Sequence, residues 1–324
     1  MYCRLMRSDD MPRFEQMLSP GFRASSRVCA SLPDLWRRLL ANRQLDGSVV
    51  AETDPAQGES VLAFGMTTFV GEPFVDEYLR APQPYLSALV YERVLDGRSP
   101  IVPSADLAAL NAAGELNLLI LHFGIHHANP GDERGRAIVA TSYAGFRAVH
   151  LGYRIKRVLQ EAYGPELPYF TAGGFLVKSD YALSADASAM DANGWRPYLV
   201  GLFRDDRESQ LPGSAISYLF HSSPPMVHFS DAERHVVLRA VMDEPDDVIA
   251  EALKVSPEGV KKTWRRIHQR VDAAAIPELS KQPEEQENGA NRGKERRRRL
   301  VQYLRYHPEA LRPFARKGAV KRRS

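Results

Sequence analysis

Over the first 225 residues the apolar positions keep changing period, and beyond that point they settle into a helical one. Tyr2 to Met6 predicts a first strand, and Ser8, Asp9 or Asp10 can cap a helix running to Leu18. Leu35, Trp36, Leu39 and Leu40 recur at the spacing of an amphipathic helix over residues 32–44. After the turn marked by Asp46-Gly47, Ser48 to Ala51 and Ser60 to Val70 read as strands. Residues 73–95 read as helical, interrupted by Pro82 and Pro84, and Ser104 to Ala113 as another helix. The run LNLLILHF, Leu116 to Phe123, suits a strand buried on both faces. A long helix is expected from Arg134 to Tyr163, with Gly164 as its C-cap. Strands at Phe170 to Val177 and Tyr198 to Phe203, a polar loop over Ala182 to Gly194 and a short helix at Gly213 to Phe220 follow.

Beyond the proline-bearing connection Ser222 to Val227, the pattern predicts three short helices. Ser230 with Glu233 three residues later has the chemistry of a capping box, and Val236, Val237, Ala240 and Val241 supply the buried side of the first helix. Pro245, Asp246 and Asp247 suit the first turn of the second, which buries Ile249, Ala250 and Leu253. Ser256, Pro257 and Glu258 open the third, which runs to about Val271. Its residues Val260, Trp264, Ile267 and Val271 form one apolar stripe, and Lys261, Lys262, Arg265 and Arg266 lie off it. Such a helix fits phosphate and groove-edge recognition; the plainer alternative is a solvated basic face.

Composition changes this picture in one respect. At 324 residues and 44% hydrophobic content the chain has room for about two domains with a substantial core. Of its 43 Lys and Arg, 13 lie in residues 291–324 against 2 acids, so an acidic body carries a basic end. No apolar run approaches 18 residues and the N-terminus lacks a signal-peptide pattern, so a cytoplasmic protein without a membrane partner is expected. Cys3 and Cys29 fit no metal or redox spacing and read as reduced thiols.

The 43 residues from Phe229 to Val271 align without a gap to the LuxR-type helix-turn-helix domain and resemble it at Ser230, Glu233, Val236, Ile249, Ala250, Glu251, Leu253, Val255, Ser256, Pro257, Glu258, Val260, Lys261, Arg265, Arg266 and Ile267. They depart from it at Asp243, Gly259, Val248 and Arg239, where the family usually has Gly, Thr, Glu and Leu. The resemblance implies a transcription regulator with the helix 256–271 in the major groove of double-stranded DNA. Ser256, Glu258, Lys261, Lys262, Arg265, Arg266 and Arg270 would then contact DNA. Arg296, Arg297, Arg298 and Arg299 of a basic helix spanning Lys294 to His307 are candidate phosphate contacts, or else solvated arginines of a docked helix. The family's fourth helix, often used for dimerisation, is not evident directly after the third, so a homodimer is an open expectation.

The order of elements in the first 225 residues, with Gly173-Gly174-Phe175 following the expected strand and helix pair, resembles a GNAT-type acyltransferase fold. That resemblance implies a pyrophosphate bound at a helix N-terminus; Gly135 and Ala137 fill the last positions of the usual signature, but Asp132 stands where Gln or Arg belongs. A phosphoacceptor receiver is excluded because the first lysine is Lys156, and a quorum-sensing ligand domain stays open without any of its motif residues. His122, His126 and His127 cluster at the end of the apolar strand, where core and loop histidines are the plainer reading than a metal site. His122, Arg147, His150 and Tyr153 are candidates for a ligand pocket that binds a small-molecule effector.

The expected architecture is therefore an α/β domain over 1–225, a mixed sheet with flanking helices and a GNAT-like order. A LuxR-type all-α domain over 228–273, a flexible linker over 274–293 and a basic helical tail over 294–324 follow it. The expected function is DNA-binding regulation modulated through the α/β domain, with no catalytic residue, metal or cofactor assigned. The alternative is an acyl-CoA-dependent transferase with an attached targeting domain.

Overall fold

The computed structural model describes residues 1–56, 58–126, 131–181, 194–210, 216–280 and 289–315. Seven strands form one mixed sheet: β1 Tyr2–Leu5, β2 Asp46–Asp54, β3 Gly58–Val70, β4 Leu116–Ile125, β5 Ile155–Tyr163, β6 Leu176–Asp180 and β7 Pro197–Phe203. Their order is β1-β2-β3-β4-β5-β7-β6. Only the β4–β5 pair is parallel. A parallel pair needs a crossover, and helix α6 supplies it. The helices are α1 Met11–Glu15, α2 Ser26–Ala41, α3 Glu72–Arg80, α4 Leu86–Leu95, α5 Leu107–Ala113, α6 Glu133–His150 and α7 Leu167–Ala172. In the C-terminal part they are α8 Asp231–Val241, α9 Asp246–Leu253, α10 Pro257–Ala273, α11 Pro277–Ser280 and α12 Gly289–Tyr306.

One face of the sheet packs on α1 to α4 through Phe14, Leu32, Trp36, Phe64, Val90 and Tyr91, all essentially inaccessible. The other face receives α6, which approaches so closely that a Cβ added at Gly145 would lie 2.3 Å from Cys3 Sγ and 2.6 Å from Ser48 Oγ. Burial on both sides explains the apolar continuity of β4, whose residues Leu116 to Leu121 are all buried.

Three expectations are corrected. The helix expected over 134–163 is two elements, α6 and β5, separated by a turn in which Gly152 takes φ +92. That positive φ suits glycine. A Cβ there would also meet Pro308 and Glu309 backbone at about 2.4 Å. Residues 155–163 become a strand because β4 and β7 bracket them, so pairing overrides a sequence that also reads as helical. The strand expected from Phe170 starts only at Leu176, since residues 167–172 form α7. The basic tail is not a separate piece: Leu300, Tyr303 and Leu304 of α12 share one core with Val236, Val237, Ile249, Val260, Trp264 and Ile267. The loop expected over 182–194 and the helix expected from Gly213 lie largely outside the described residues.

The sequence-read details of α8 to α10 are present as structure. Ser230 and Glu233 form a reciprocal capping box, and Ser256 Oγ accepts from Gly259 N–H. Val260, Trp264, Ile267 and Val271 are the buried stripe of α10. The C-terminal segment then returns to the sheet domain. Arg312, 4% exposed, donates to the carbonyls of Ala148 and Leu151 at the end of α6 and lies 5.1 Å over the Tyr153 ring. Asn111 Nδ2 donates to Pro313 O at 2.7 Å, and Ala315 N to Ala108 O at 3.0 Å. Among the described residues, no helix is long and apolar enough to cross a membrane.

Candidate functional site: a cavity at the parted strands

The parallel pairing of β4 and β5 begins at Leu116 opposite Ile155 and ends at Ile120 opposite Gln160. Beyond that point each strand follows its other neighbour. β4 continues with β3 as far as Ile125 opposite Ala63, and β5 continues with β7 as far as Tyr163 opposite Pro197. A register shift between Met66 and Thr67, which leaves Leu121 extra on β4, accompanies the divergence. Such a bulge bends its strand and increases twist. The sheet therefore opens as a wedge.

A cavity of about 640 Å³ fills this wedge and extends between α6 and the sheet. Ile120, Phe123 and Ile125 line one limb and Gln160 the other; Val139, Tyr143 and Phe146 of α6 form its roof. Its floor reaches Gly65 and Thr67 of β3. A Cβ added at Gly65 would meet nothing within 4 Å, so this glycine leaves space where any other residue would fill it. Ser19, His126, Glu166, Tyr169 and Trp195 belong to the same lining.

Polar side chains are interspersed in this lining, Ser48, Thr67, Ser142 and Tyr143 among them, and His150, Gln160 and Glu166 differ in state. His150 is 1% exposed, with Nδ1 2.7 Å from Phe146 O and Nε2 2.8 Å from Thr67 Oγ1. Burial, reinforced by the Arg312 charge, takes its pKa down to about 3, so the ring is neutral. Nδ1–H then donates to the carbonyl, and the single Thr67 hydroxyl proton is shared between Nε2 and the Asp46 carbonyl at 3.1 Å. Gln160 is 3% exposed and its Oε1 has no hydrogen-bond partner among the described residues. An unmet buried acceptor costs about 1–3 kcal/mol, which a donor on a ligand would recover. Glu166 lies half-buried just beyond the end of β5, and its burial raises its pKa, opposed by hydrogen bonds from Ser19 and from the Tyr163 amide.

Of the four residues expected to form a pocket, only His150 lines this cavity. His122 points to the opposite face, 5.7 Å from the ring centroids of both Trp36 and Tyr91, and burial takes its pKa to about 3. Tyr153 packs on Phe69 and under Arg312, and Arg147 lies over Tyr218. Arg147 and Tyr153 fall outside the cavity because β5 follows α6 in the chain, so they face the turn, Tyr218 and the returning C-terminal segment, while His122 lies on the other face of β4. His126 lines the cavity, His127 falls outside the described residues, and no metal-holding group of three His, Cys, Asp or Glu side chains occurs among the described residues. Gln160 and Glu166 were missed because a helix was expected through Tyr163, and Gly65 because an interior strand glycine announces open space only once the opposite wall is known.

On the helical unit, Lys261, Lys262, Arg265 and Arg266 are exposed, with Glu258 pairing to Lys261 at 3.6 Å and to Arg265 at 3.3 Å. Arg270 pairs with buried Glu233 at 2.9 Å. The tail arginines are tied to the protein itself: Arg296 to Asp272, Arg297 to Asp246 and the Trp264 ring, Arg298 to Glu295, and Arg299 to the Glu278 carbonyl.

No family model and no curated protein matches the chain. Among solved structures, the chain is similar to a mutant of the Vibrio cholerae spermidine N-acetyltransferase SpeG, with 8% identity, TM-score 0.35, and 63% of this chain and 95% of that one covered. It is also similar to FeeM, an N-acyl amino acid synthase from uncultured soil microbes, with 11% identity, TM-score 0.34, and 63% and 95% covered. A third is a mutant of the toxin AtaT bound to the C-terminus of the antitoxin AtaR and acetyl-CoA, with 14% identity, TM-score 0.29, and 61% and 90% covered. These three are an acetyltransferase, a synthase and a toxin, and none of them is a transcription regulator; the reading as a transcription regulator finds no support among them.

A GNAT-like site would place a coenzyme A pyrophosphate on the amides that open α6. The residues here do not fit that group. The Asp132 carboxylate itself accepts from Gly135 N at 2.6 Å, and Glu133 adds a second acid in the first turn. Two carboxylates at this helix end offset the field that would attract an anion.

Proposed function

We propose that the sheet domain transfers an acyl group from a thioester to an amine. The observation that carries this reading is the wedge between β4 and β5, which opens into a cavity containing an unpartnered Gln160 carboxamide oxygen and, in the same lining, a carboxylate of raised pKa, Glu166. The GNAT-like sheet supports it.

A thioester carbonyl held in the wedge is open to attack by an amine entering beside Glu166. The amine nitrogen forms the C–N bond, its proton passes to the Glu166 carboxylate, and collapse breaks the C–S bond. The leaving thiolate takes up a proton. Burial makes Glu166 a better proton acceptor than a solvated carboxylate, the tuning that general-base work requires. Gln160 would accept a hydrogen bond from an amide N–H of the donor's arm and so orient it.

The test is thiol release from acetyl- and decanoyl-pantetheine in the presence of a panel of polyamines and amino acids. Glu166→Gln should lower kcat by roughly 100-fold with little change in KM for the thioester, the size expected for a lost general base. Release by the unaltered protein no faster than in buffer, across the whole panel, would overturn the assignment.

A further inference from the structure

We infer that the cavity is the seat of a fatty acyl chain, and that this chain, in place of a pyrophosphate, supplies the binding of the acyl donor. The inference rests on the transferase reading for the identity of the ligand's reactive end, and on geometry for its tail.

Size comes first. A methylene group takes up roughly the 30 Å³ share of a water molecule. An acetyl group would leave most of a cavity of about 640 Å³ vacant, whereas a chain of about ten to fourteen carbons occupies a large part of it. Chemistry agrees with size. The roof and limbs carry Val139, Phe146, Ile120, Phe123 and Ile125 beside the polar Tyr143 and Gln160, and the buried polar group of the α6 C-terminus, His150, is neutral with both ring nitrogens already partnered. The unpartnered acceptor, Gln160, stands where the β4–β5 pairing ends, at the level where an acyl chain gives way to an amide-bearing arm.

Gly65 makes the space usable. It lines the cavity, and a Cβ added there would meet no atom within 4 Å. Neighbouring Gly47 and Gly124 differ: a Cβ at Gly47 would lie 2.0 Å from Gly65 O, and one at Gly124 2.2 Å from Met17 O. Those two permit close packing of the protein on itself, while Gly65 opens onto vacant volume. The α6 N-terminus contributes the complementary point, since Asp132 already occupies the amide that a pyrophosphate would need.

The test uses the full chain and acyl-pantetheines with saturated chains of two, six, ten and fourteen carbons, titrated by calorimetry. The dissociation constant should fall roughly fourfold per added methylene until the cavity is filled, and then level off. Gly65→Leu should weaken binding of the fourteen-carbon ligand by at least tenfold while leaving the six-carbon ligand within twofold, with an unchanged thermal midpoint. If Gly65→Leu fails to fold, Val139→Trp narrows the same space from α6. Decanoyl-CoA should bind within about twofold of decanoyl-pantetheine, and decanoate more weakly than either. A dissociation constant that does not change from two to fourteen carbons, or decanoyl-CoA binding more than tenfold tighter than decanoyl-pantetheine, would overturn the inference. Chain-length-dependent binding without thiol release to any amine would sink the transferase reading alone.

Discussion

The first turn of α6 is closed by Asp132, the residue just before it, and the last turn by Arg312, which arrives from the far end of the chain. At the N-terminal end a carboxylate three residues from its partner amide satisfies a donor that the helix leaves open. At the C-terminal end a guanidinium brought from 161 residues away donates to Leu151 O. The first cap is local and closes the end to anions; the second makes the cavity roof depend on the helical unit. Helix α6 thus roofs the cavity along its length and carries the contact with the helical unit at its end.

Removing Arg312 has the largest expected effect on that comparison. Arg312→Ala leaves the Ala148 and Leu151 carbonyls without their donor and strips the cation from Tyr153. The expected loss is about 3 kcal/mol of unfolding free energy, measured by urea denaturation. Arg312→Lys should recover little, because an ammonium cannot reproduce the fork. A loss under about 0.5 kcal/mol would show that the helical unit is held by other contacts, and the asymmetry between the two ends would vanish.

Next in size is acidification, which acts at His150, the last residue of α6. Its folded pKa of about 3 lies below the ordinary value of a histidine, so the unfolded chain takes up this proton first as pH falls. The contribution is therefore intact above about pH 6.5 and declines progressively below it. By pH 5 the loss is about 2 kcal/mol for this ring. His122, on the opposite face, adds a similar dependence with burial as its cause. His150→Gln should flatten the stability profile between about pH 6.5 and 5 by one proton, read from urea midpoints at each pH; an unchanged slope would mean that the ring is protonated in the folded state.

What could be read from the sequence follows the same local and distant division. The capping box of Ser230 and Glu233, the Ser256 cap, the apolar stripe of α10 and the buried run of β4 each involve residues within a few turns of one another, and all are present. The acid at position 132 was also visible, together with its conflict with a pyrophosphate. The α6–β5 boundary was not, because residues 155–163 carry no strong breaker and become a strand only through pairing with β4 and β7. That single misplacement hid Gln160 and Glu166 from the site. The partners at the basic end are distant too: arginines at 296, 297 and 299 look unpartnered in sequence, while their acidic, aromatic and carbonyl partners lie 21 to 51 positions earlier.

The smallest effect is expected at the other end of α6, where it separates capping from charge. Asp132→Ala removes the acceptor for Gly135 N and should cost about 1 kcal/mol. Asp132→Asn keeps an acceptor of equal capping strength, so its stability should lie within a few tenths of a kcal/mol of the original. The pair then asks what the charge does apart from the cap. With the carboxylate gone, the helix end regains part of its attraction for anions, offset by Glu133 in the same turn. Binding of decanoyl-CoA should therefore improve by several-fold in Asp132→Asn while that of decanoyl-pantetheine stays the same, a contrast that screening by added salt should shrink. An Asn variant as unstable as the Ala variant would show that the charge, and not the acceptor, holds the first turn. Equal affinities for the two thioesters in every variant would place the pyrophosphate away from α6 altogether.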